Sequence, residues 1–271
     1  MSKVKNQHYL SRCISKNFIT TNNSKFYEYD CSESNVDKKI REKNINKLFS
    51  ARRIWGQDFE KKLSEDFENK LAKILNKYVN IEINRYRVSF KTHSEEMQFN
   101  ALVIENEEDR NILSRLLIQQ LLLQKKNRNV IDDEQEKILL YCLEHFEGLK
   151  GNVILVEINP LIPIPLILID AMPFLYFVPD SDKTDSLGHI QFMFPISPSR
   201  FLLWGNKLDV DYFCYKYQNI HYLNLCRIEQ QEKKCRIATQ DKEYLELLIE
   251  QIDKFSSGNT QVKITSARDI L

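Results

Sequence analysis

The sequence predicts an α+β fold: a helix-rich domain packed on a small, mainly antiparallel sheet. Three observations carry that prediction. All seven prolines fall between Pro160 and Pro198, so residues up to about 150 are free to form long helices, while 151–205 must be strands, turns and extended connections. Residues 57–80 place Phe59, Leu63, Phe67, Leu71, Ile74, Leu75 and Tyr78 at spacings of three and four, one face of a helix. Within the proline-rich region, 153–158 and 166–169 are short β-branched runs, the length of buried strands. One globular domain is expected over 1–255. It divides into a basic N-terminal segment (1–55), a helical core (56–150), the proline-rich strand region (151–205) and C-terminal helices (206–255). A loosely attached tail follows over 256–271.

Taken in order, Phe26-Tyr27-Glu28-Tyr29-Asp30 alternates aromatic and acidic side chains, the period of a half-buried strand, and Asn22-Asn23-Ser24 supplies the turn before it. Residues 32–47 are polar and read as a loop with marginal helix. After the helix over 57–80, residues 81–104 hold alternating pieces such as Tyr86-Arg87-Val88-Ser89-Phe90. A second helix over 107–125 is apolar on more than one side and is therefore central. A third over 132–146 opens with acidic residues that suit a helix N-terminus and stops before Gly148. Strands follow at 153–158, 166–169, 189–194 and 201–204, and helices return at 209–217, 219–236 and 241–254.

With 42% hydrophobic and 28% charged residues, the composition is that of a globular protein rather than a fibrous or disordered chain. The net charge of +1 is unevenly spread: residues 1–55 carry 12 basic against 5 acidic side chains, a local +7, which leaves −6 on the remainder. Such a basic segment either forms a footprint for nucleic acid or pairs with the acidic remainder of the molecule. Arg12, Arg52 and Arg53 are its candidate nucleic-acid contacts. Six scattered cysteines and an N-terminus without a leader-like apolar core point to reduced thiols in the cytoplasm. The apolar stretch 153–178 contains Glu157, Asn159, Asp170 and four prolines, so it reads as buried strands and no membrane anchor is expected.

Familiar signatures are missing. Six glycines in the chain include no phosphate-cradling loop, and no Cys-x-x-Cys pair or helical His pair offers a metal site. The pattern names no cofactor and no metal. Glu157 and Asn159 at a strand end echo the Glu-x-Lys of some nucleases with Asn in place of Lys, set against a strand-end carboxylate in a turn. His8 has the side chain to be a general acid or base near neutrality. Asp170 either emerges at a strand terminus, where sites gather, or accepts backbone N–H groups in a turn.

Several segments together resemble an uncharacterised family, domain of unknown function 4238. Gln7-His8-Tyr9-Leu10-Ser11-Arg12 through Asn17-Phe18 is similar to its opening His motif, and Phe26 to Asp30 to its following strand. Phe67-Glu68 resembles its apolar-Glu pair, Leu168-Ile169-Asp170-Ala171-Met172-Pro173-Phe174 its strand-end Asp motif, Phe194-Pro195-Ile196-Ser197-Pro198 its Pro-Leu-Ser-Pro segment, and Tyr222-Leu223-Asn224 its Asn-bearing helix start. The hydroxyls and Asn that surround the family's strand-end Asp are apolar here. The resemblance implies relatives rather than a reaction.

Two functions follow. In the first, His8, Glu68 and Asp170 converge in a cleft of a nucleic-acid-directed nuclease, a toxin-like effector of a defence or stress system, with His8 as acid or base and the carboxylates orienting it or a metal. In the second, the chain is a non-catalytic interaction or sensor module that binds another protein through Tyr212, Phe213, Tyr215, Tyr217 and Tyr222.

Overall fold

A computed structural model describes residues 7–8, 12–21, 23–32, 39–51, 61, 63–83, 86–91, 96–124, 137, 141, 152–158, 164–170, 173–178, 189–252 and 254–255. Every strand pairing among them is antiparallel, and the strands divide into three sheets. The largest has six strands, in the order β5 (Tyr86–Lys91), β6 (Glu96–Val103), β7 (Asn152–Ile158), β11 (Arg200–Gly205), β10 (His189–Ser197) and β9 (Phe174–Val178). A four-stranded sheet runs β3 (Arg41–Asn44), β2 (Lys25–Asp30), β12 (Arg236–Thr239) and β8 (Leu168–Ile169). A two-stranded ribbon joins β1 (Gln7–His8) to β4 (Ser50–Ala51). The fold is α+β, as the sequence predicts, with the strands in separate sheets.

Six α-helices are described: α1 (Arg12–Lys16), α2 (Asn69–Asn80), α3 (Glu107–Gln124), α4 (Lys207–Lys216), α5 (Ile220–Gln230) and α6 (Lys242–Ile252). The six-stranded sheet is covered on both faces. Trp204 Nε1 donates to Ser114 Oγ of α3 at 3.3 Å on one side. On the other, the Phe201 ring meets Phe213 of α4 at 5.3 Å. Burial on both faces removes the usual apolar–polar alternation, which is why Val153, Ile154, Leu155 and Val156 are all buried in succession.

The helix expected over 57–80 is present as α2, preceded by a π-helical segment over Leu63–Glu68. Its predicted face is the buried one: Leu63, Phe67, Leu71, Ile74, Leu75 and Tyr78 all lie in the core. Arg200 fastens the sheet to the end of this helix, donating through Nη1 to the carbonyls of Tyr78 (2.9 Å) and Ile81 (2.7 Å). Opposite it in register stands Glu157, which accepts from Arg200 Nε at 2.8 Å and from Asn100 Nδ2 at 3.3 Å. Glu157 is therefore engaged in holding strands together from within β7, rather than lying in a turn.

Two expectations are corrected. Residues 32–47 contain a strand, β3, and a 3-10 turn over Ile45–Lys47. A strand of Arg, Glu, Lys and Asn forms because its backbone pairs with β2 and its charges find partners there. The helix expected over 219–236 stops at Gln230, because Glu232 and Lys233 take left-handed backbone angles (φ 52° and 57°) that end it. The chain then enters β12, the strand that joins β2 to β8. Of the helix over 132–146, Lys137 and Tyr141 are described and helical; the rest lies outside the described residues.

Candidate functional site

The four-stranded sheet gathers charge on one face. Arg236 stands opposite Asp30 on β2, Ala238 opposite both Glu28 on β2 and Leu168 on β8, and Asp170 follows one alternation beyond Leu168. Residues two apart on a strand share a face. Glu28, Asp30, Arg236 and Asp170 therefore lie on one side, drawn from three segments distant in sequence.

Asp170 is doubly bound to Arg236. Its Oδ1 accepts the Arg236 backbone N–H at 2.8 Å, its Oδ2 accepts Nε at 2.8 Å, and its own N–H donates to the Arg236 carbonyl at 3.0 Å. The carboxylate takes the place that a carbonyl holds in a regular ladder, so β8 ends here. With side chains only 5% and 10% exposed, this is a buried ion pair, tolerable because each charge meets its partner in good geometry. Nearby, Glu28 is 1% exposed. Its Oε1 takes a hydrogen bond from Lys43 Nζ, and its Oε2 takes the Phe49 backbone N–H at 3.3 Å.

Phe49 is the hinge of this arrangement. Its ring lies 5.6 Å beneath the Arg236 guanidinium, within cation–π range. It is fully buried, with a left-handed backbone (φ 50°) that an aromatic residue adopts only under constraint. Strain of that kind costs on the order of 1–3 kcal/mol and gathers where local geometry serves a site. Directly after Phe49 comes Ser50, which pairs with His8 across the β1–β4 ribbon.

The residues singled out from the sequence thus fall as follows. The strand holding His8 runs beside the segment that carries Phe49, and through Phe49 it adjoins the Arg236–Asp170 pair. Glu68 is half-buried at the junction of the π-helical segment and α2, and α2 packs against α1, the helix that follows His8. Arg12 is exposed at the start of α1 and donates to Asn46 Oδ1. Arg52 and Arg53 lie outside the described residues. Asp170 ends β8 and accepts a backbone N–H, the second of its sequence readings, and its carboxylate is turned to Arg236 and buried. Among the described residues, no group of three His, Cys, Asp or Glu side chains is disposed to hold a metal ion.

Sequence reasoning missed Arg236, Lys43 and Phe49. Arg236 was assigned to a helix and Lys43 to a loop, and nothing in the sequence marks a phenylalanine for a left-handed conformation. It also left Asn224 without a role. That side chain is fully buried in α5 and saturated: Nδ2 donates to the Pro165 carbonyl and to Tyr244 Oη (both 2.9 Å), while Oδ1 accepts from Ile167 N (3.3 Å) and Arg227 Nη1 (3.1 Å). Arg227 Nη1 also donates to the Ile167 carbonyl at 3.1 Å. Asn224 and Arg227 clamp the lead-in to β8 from the helical side, as Asp170 and Arg236 fasten its end. Burial pulls the Arg227 pKa down to about 9, with attraction to the sulfur of Cys235 opposing the fall.

The aromatic region expected as a binding surface is largely core. Phe213 and Tyr217 are each 1% exposed and pack with Phe174 and Tyr176, Tyr212 and Tyr222 are half-buried, and of the five only Tyr215 is exposed. A separate cleft of about 410 Å³ opens between Phe67 and Lys70 on one side and Glu107, Glu108, Asn111, Ile112 and Arg115 on the other. Among the described residues no helix is long and apolar enough to cross a membrane. No family model, curated protein or solved structure matches the chain.

Proposed function

We propose that the chain is a hydrolase that cleaves phosphodiester bonds of nucleic acid, a toxin-like nuclease of a defence or stress system, with its site on the charged face of the four-stranded sheet. Membership in the domain of unknown function 4238 family is part of the same proposal and rests on the short motifs. The single observation that supports the reading is the strained Phe49. It links the His8 strand to Glu28 by a backbone hydrogen bond and to the Asp170–Arg236 pair by its ring.

In this reading His8 moves the proton, since imidazole changes charge near neutral pH. Both Asp170 oxygens are occupied by Arg236, so Asp170 is a positioning residue that fixes the buried guanidinium over Phe49. Arg12, exposed four residues after His8, contributes a phosphate contact without base preference. Glu68 supplies a second carboxylate from the side of α2.

The test is a cleavage assay of the purified chain on end-labelled single-stranded RNA, single-stranded DNA and duplex, each with magnesium, with manganese and with a chelator. Cleavage by the wild type that falls by about 10²–10⁴ in His8→Ala is expected for loss of an acid–base group. Arg12→Ala should raise KM with little change in kcat. A wild-type chain inert on every substrate, or a His8→Ala variant as active as wild type, overturns the reading.

A further inference from the structure

The β2–β12 register has a chemical consequence one step beyond the last paired residues. Asp30 stands opposite Arg236, so the next pair outward is Cys31 with Cys235, and the Cys31 N–H donates to the Cys235 carbonyl at 2.9 Å. Directly opposed residues of an antiparallel pair project to the same face. Neither cysteine is in a disulfide. We propose that Cys31 and Cys235 are a redox modification site, closing to a cross-strand disulfide when the protein meets a hydroperoxide.

Distances suit the closure. A hydrogen-bonded antiparallel pair sets Cα atoms about 5.5 Å apart, inside the range of a disulfide. Cβ atoms of a hydrogen-bonded pair lie about 5.5 Å apart, and a disulfide needs about 3.5–4.5 Å, so closure asks for a movement of roughly 1–2 Å. The place allows it, since Cys31 sits in a turn just past β2 and Cys235 in a bend just before β12. A bond formed under that residual strain is readily reduced again.

The two thiols differ in the way a two-step oxidation requires. Cys31 is partly exposed and Cys235 is fully buried, so the peroxide meets Cys31 first. The Cys31 sulfur attacks one peroxide oxygen, the O–O bond breaks, and water (or the alcohol of an organic hydroperoxide) leaves, giving a sulfenic acid. The Cys235 thiol loses its proton and its sulfur attacks the Cys31 sulfur. The S–O bond breaks, the hydroxyl takes up that proton and leaves as water, and the disulfide remains. The peroxide is reduced and the two thiols are oxidised, two electrons in all. Arg227 lies close enough to Cys235 for their charges to interact, its Nη2 has no hydrogen-bond partner among the described residues, and a guanidinium there supports the attacking thiolate. The bond would join the strand carrying Glu28 and Asp30 to the strand carrying Arg236. The inference stands on the register and holds whether or not the chain cleaves nucleic acid.

The experiment treats the folded full-length chain with hydrogen peroxide, denatures it, alkylates the remaining thiols and maps peptides without reduction. Expected are the loss of two alkylatable thiols, a peptide linking Cys31 to Cys235, and restoration of both by dithiothreitol. In Cys235→Ser, Cys31 should stop at a sulfenic acid that dimedone traps. Cys31→Ser, at a partly exposed position, should keep the fold by circular dichroism and leave Cys235 alkylatable under the same peroxide. Both cysteines still alkylated at peroxide levels that oxidise Cys13, or Cys31 linked to a different cysteine, overturns the proposal.

Discussion

Both sheets bury apolar residues, and they differ in how deeply charge is buried with them. In the larger sheet, Phe174, Tyr176, Phe201, Phe213 and Tyr217 interlock with ring centroids 4.7–6.4 Å apart, and the stabilising term is apolar burial. In the smaller sheet, Phe26, Leu168, Ile169 and Ile237 are buried too, but two ion pairs are buried with them: Glu28 with Lys43 and Asp170 with Arg236. Apolar packing is forgiving of partner identity, whereas each buried charge depends on one particular partner. Variation should be graded in the first sheet and all-or-none in the second.

The largest effects test that contrast. Phe213→Ala should cost about 3–5 kcal/mol, as truncation of a buried aromatic leaves a cavity. Asp170→Ala should also cost about 3–5 kcal/mol, because it strands a buried guanidinium. The double variants separate the two. Asp170→Leu with Arg236→Met should regain most of the loss, since removing both charges removes the desolvation penalty with them. Phe213→Ala with Phe201→Ala should lose more than either single change, because each removes apolar contact. Chemical denaturation of these four variants and of Phe201→Ala decides it. A charged-pair double as unstable as its single variant would mean that the backbone N–H of Arg236, which Asp170 also satisfies, outweighs the ion pair.

Legibility in the sequence follows the same division. Strands β7 and β11 could be read because sheets buried on both faces leave unbroken apolar runs. Helix α2 could be read because a single buried face imposes its period. Strand β3 contains no apolar residue at all, and β12 is only four residues, a short turn after a helix, so neither has a pattern to find. Their existence is set by pairing with β2, a tertiary matter. The site shares that fate: Asp170 and His8 were visible as motif residues, but Arg236 is 66 positions from Asp170. No local signal announces that a residue in the tail of a predicted helix is its partner.

A mid-sized effect concerns alkaline stability on the helical side. Burial raises the Cys226 thiol from an ordinary 9.0 to about 11 and the Tyr244 phenol from 10.0 to about 12. Above pH 9 the unfolded chain releases the Cys226 proton while the folded chain keeps it, so stability falls as pH rises from 9 to 11 and is unaffected below. Two pH units at 1.36 kcal/mol each put this at about 2–3 kcal/mol. Arg227 acts in the opposite sense: burial lowers its pKa from the ordinary guanidinium value, a shift whose sign favours the folded state as pH rises. Comparing Cys226→Ala with wild type isolates the thiol. Their denaturation midpoints should converge by about that amount between pH 9 and 11, and parallel curves would show that the buried thiol does not govern the alkaline limb.

The smallest effect in folding is also a test of what surface charge does on the smaller sheet. Lys25 and Glu42 form an ion pair at 2.6 Å with side chains 53% and 49% exposed, and exposed pairs of this kind contribute little because water and salt screen them. Yet β3 is an edge strand in the described order, and every residue along it is charged or polar: Arg41, Glu42, Lys43 and Asn44. An open edge invites a second chain to extend the sheet, and charge on the edge prevents it. Glu42→Val should therefore leave the thermal midpoint where it is, while making the protein associate with rising concentration, as read by light scattering. If instead the midpoint falls and the protein stays monomeric, the exposed pair matters to folding after all, and the division between the sheets must be drawn at burial rather than at charge.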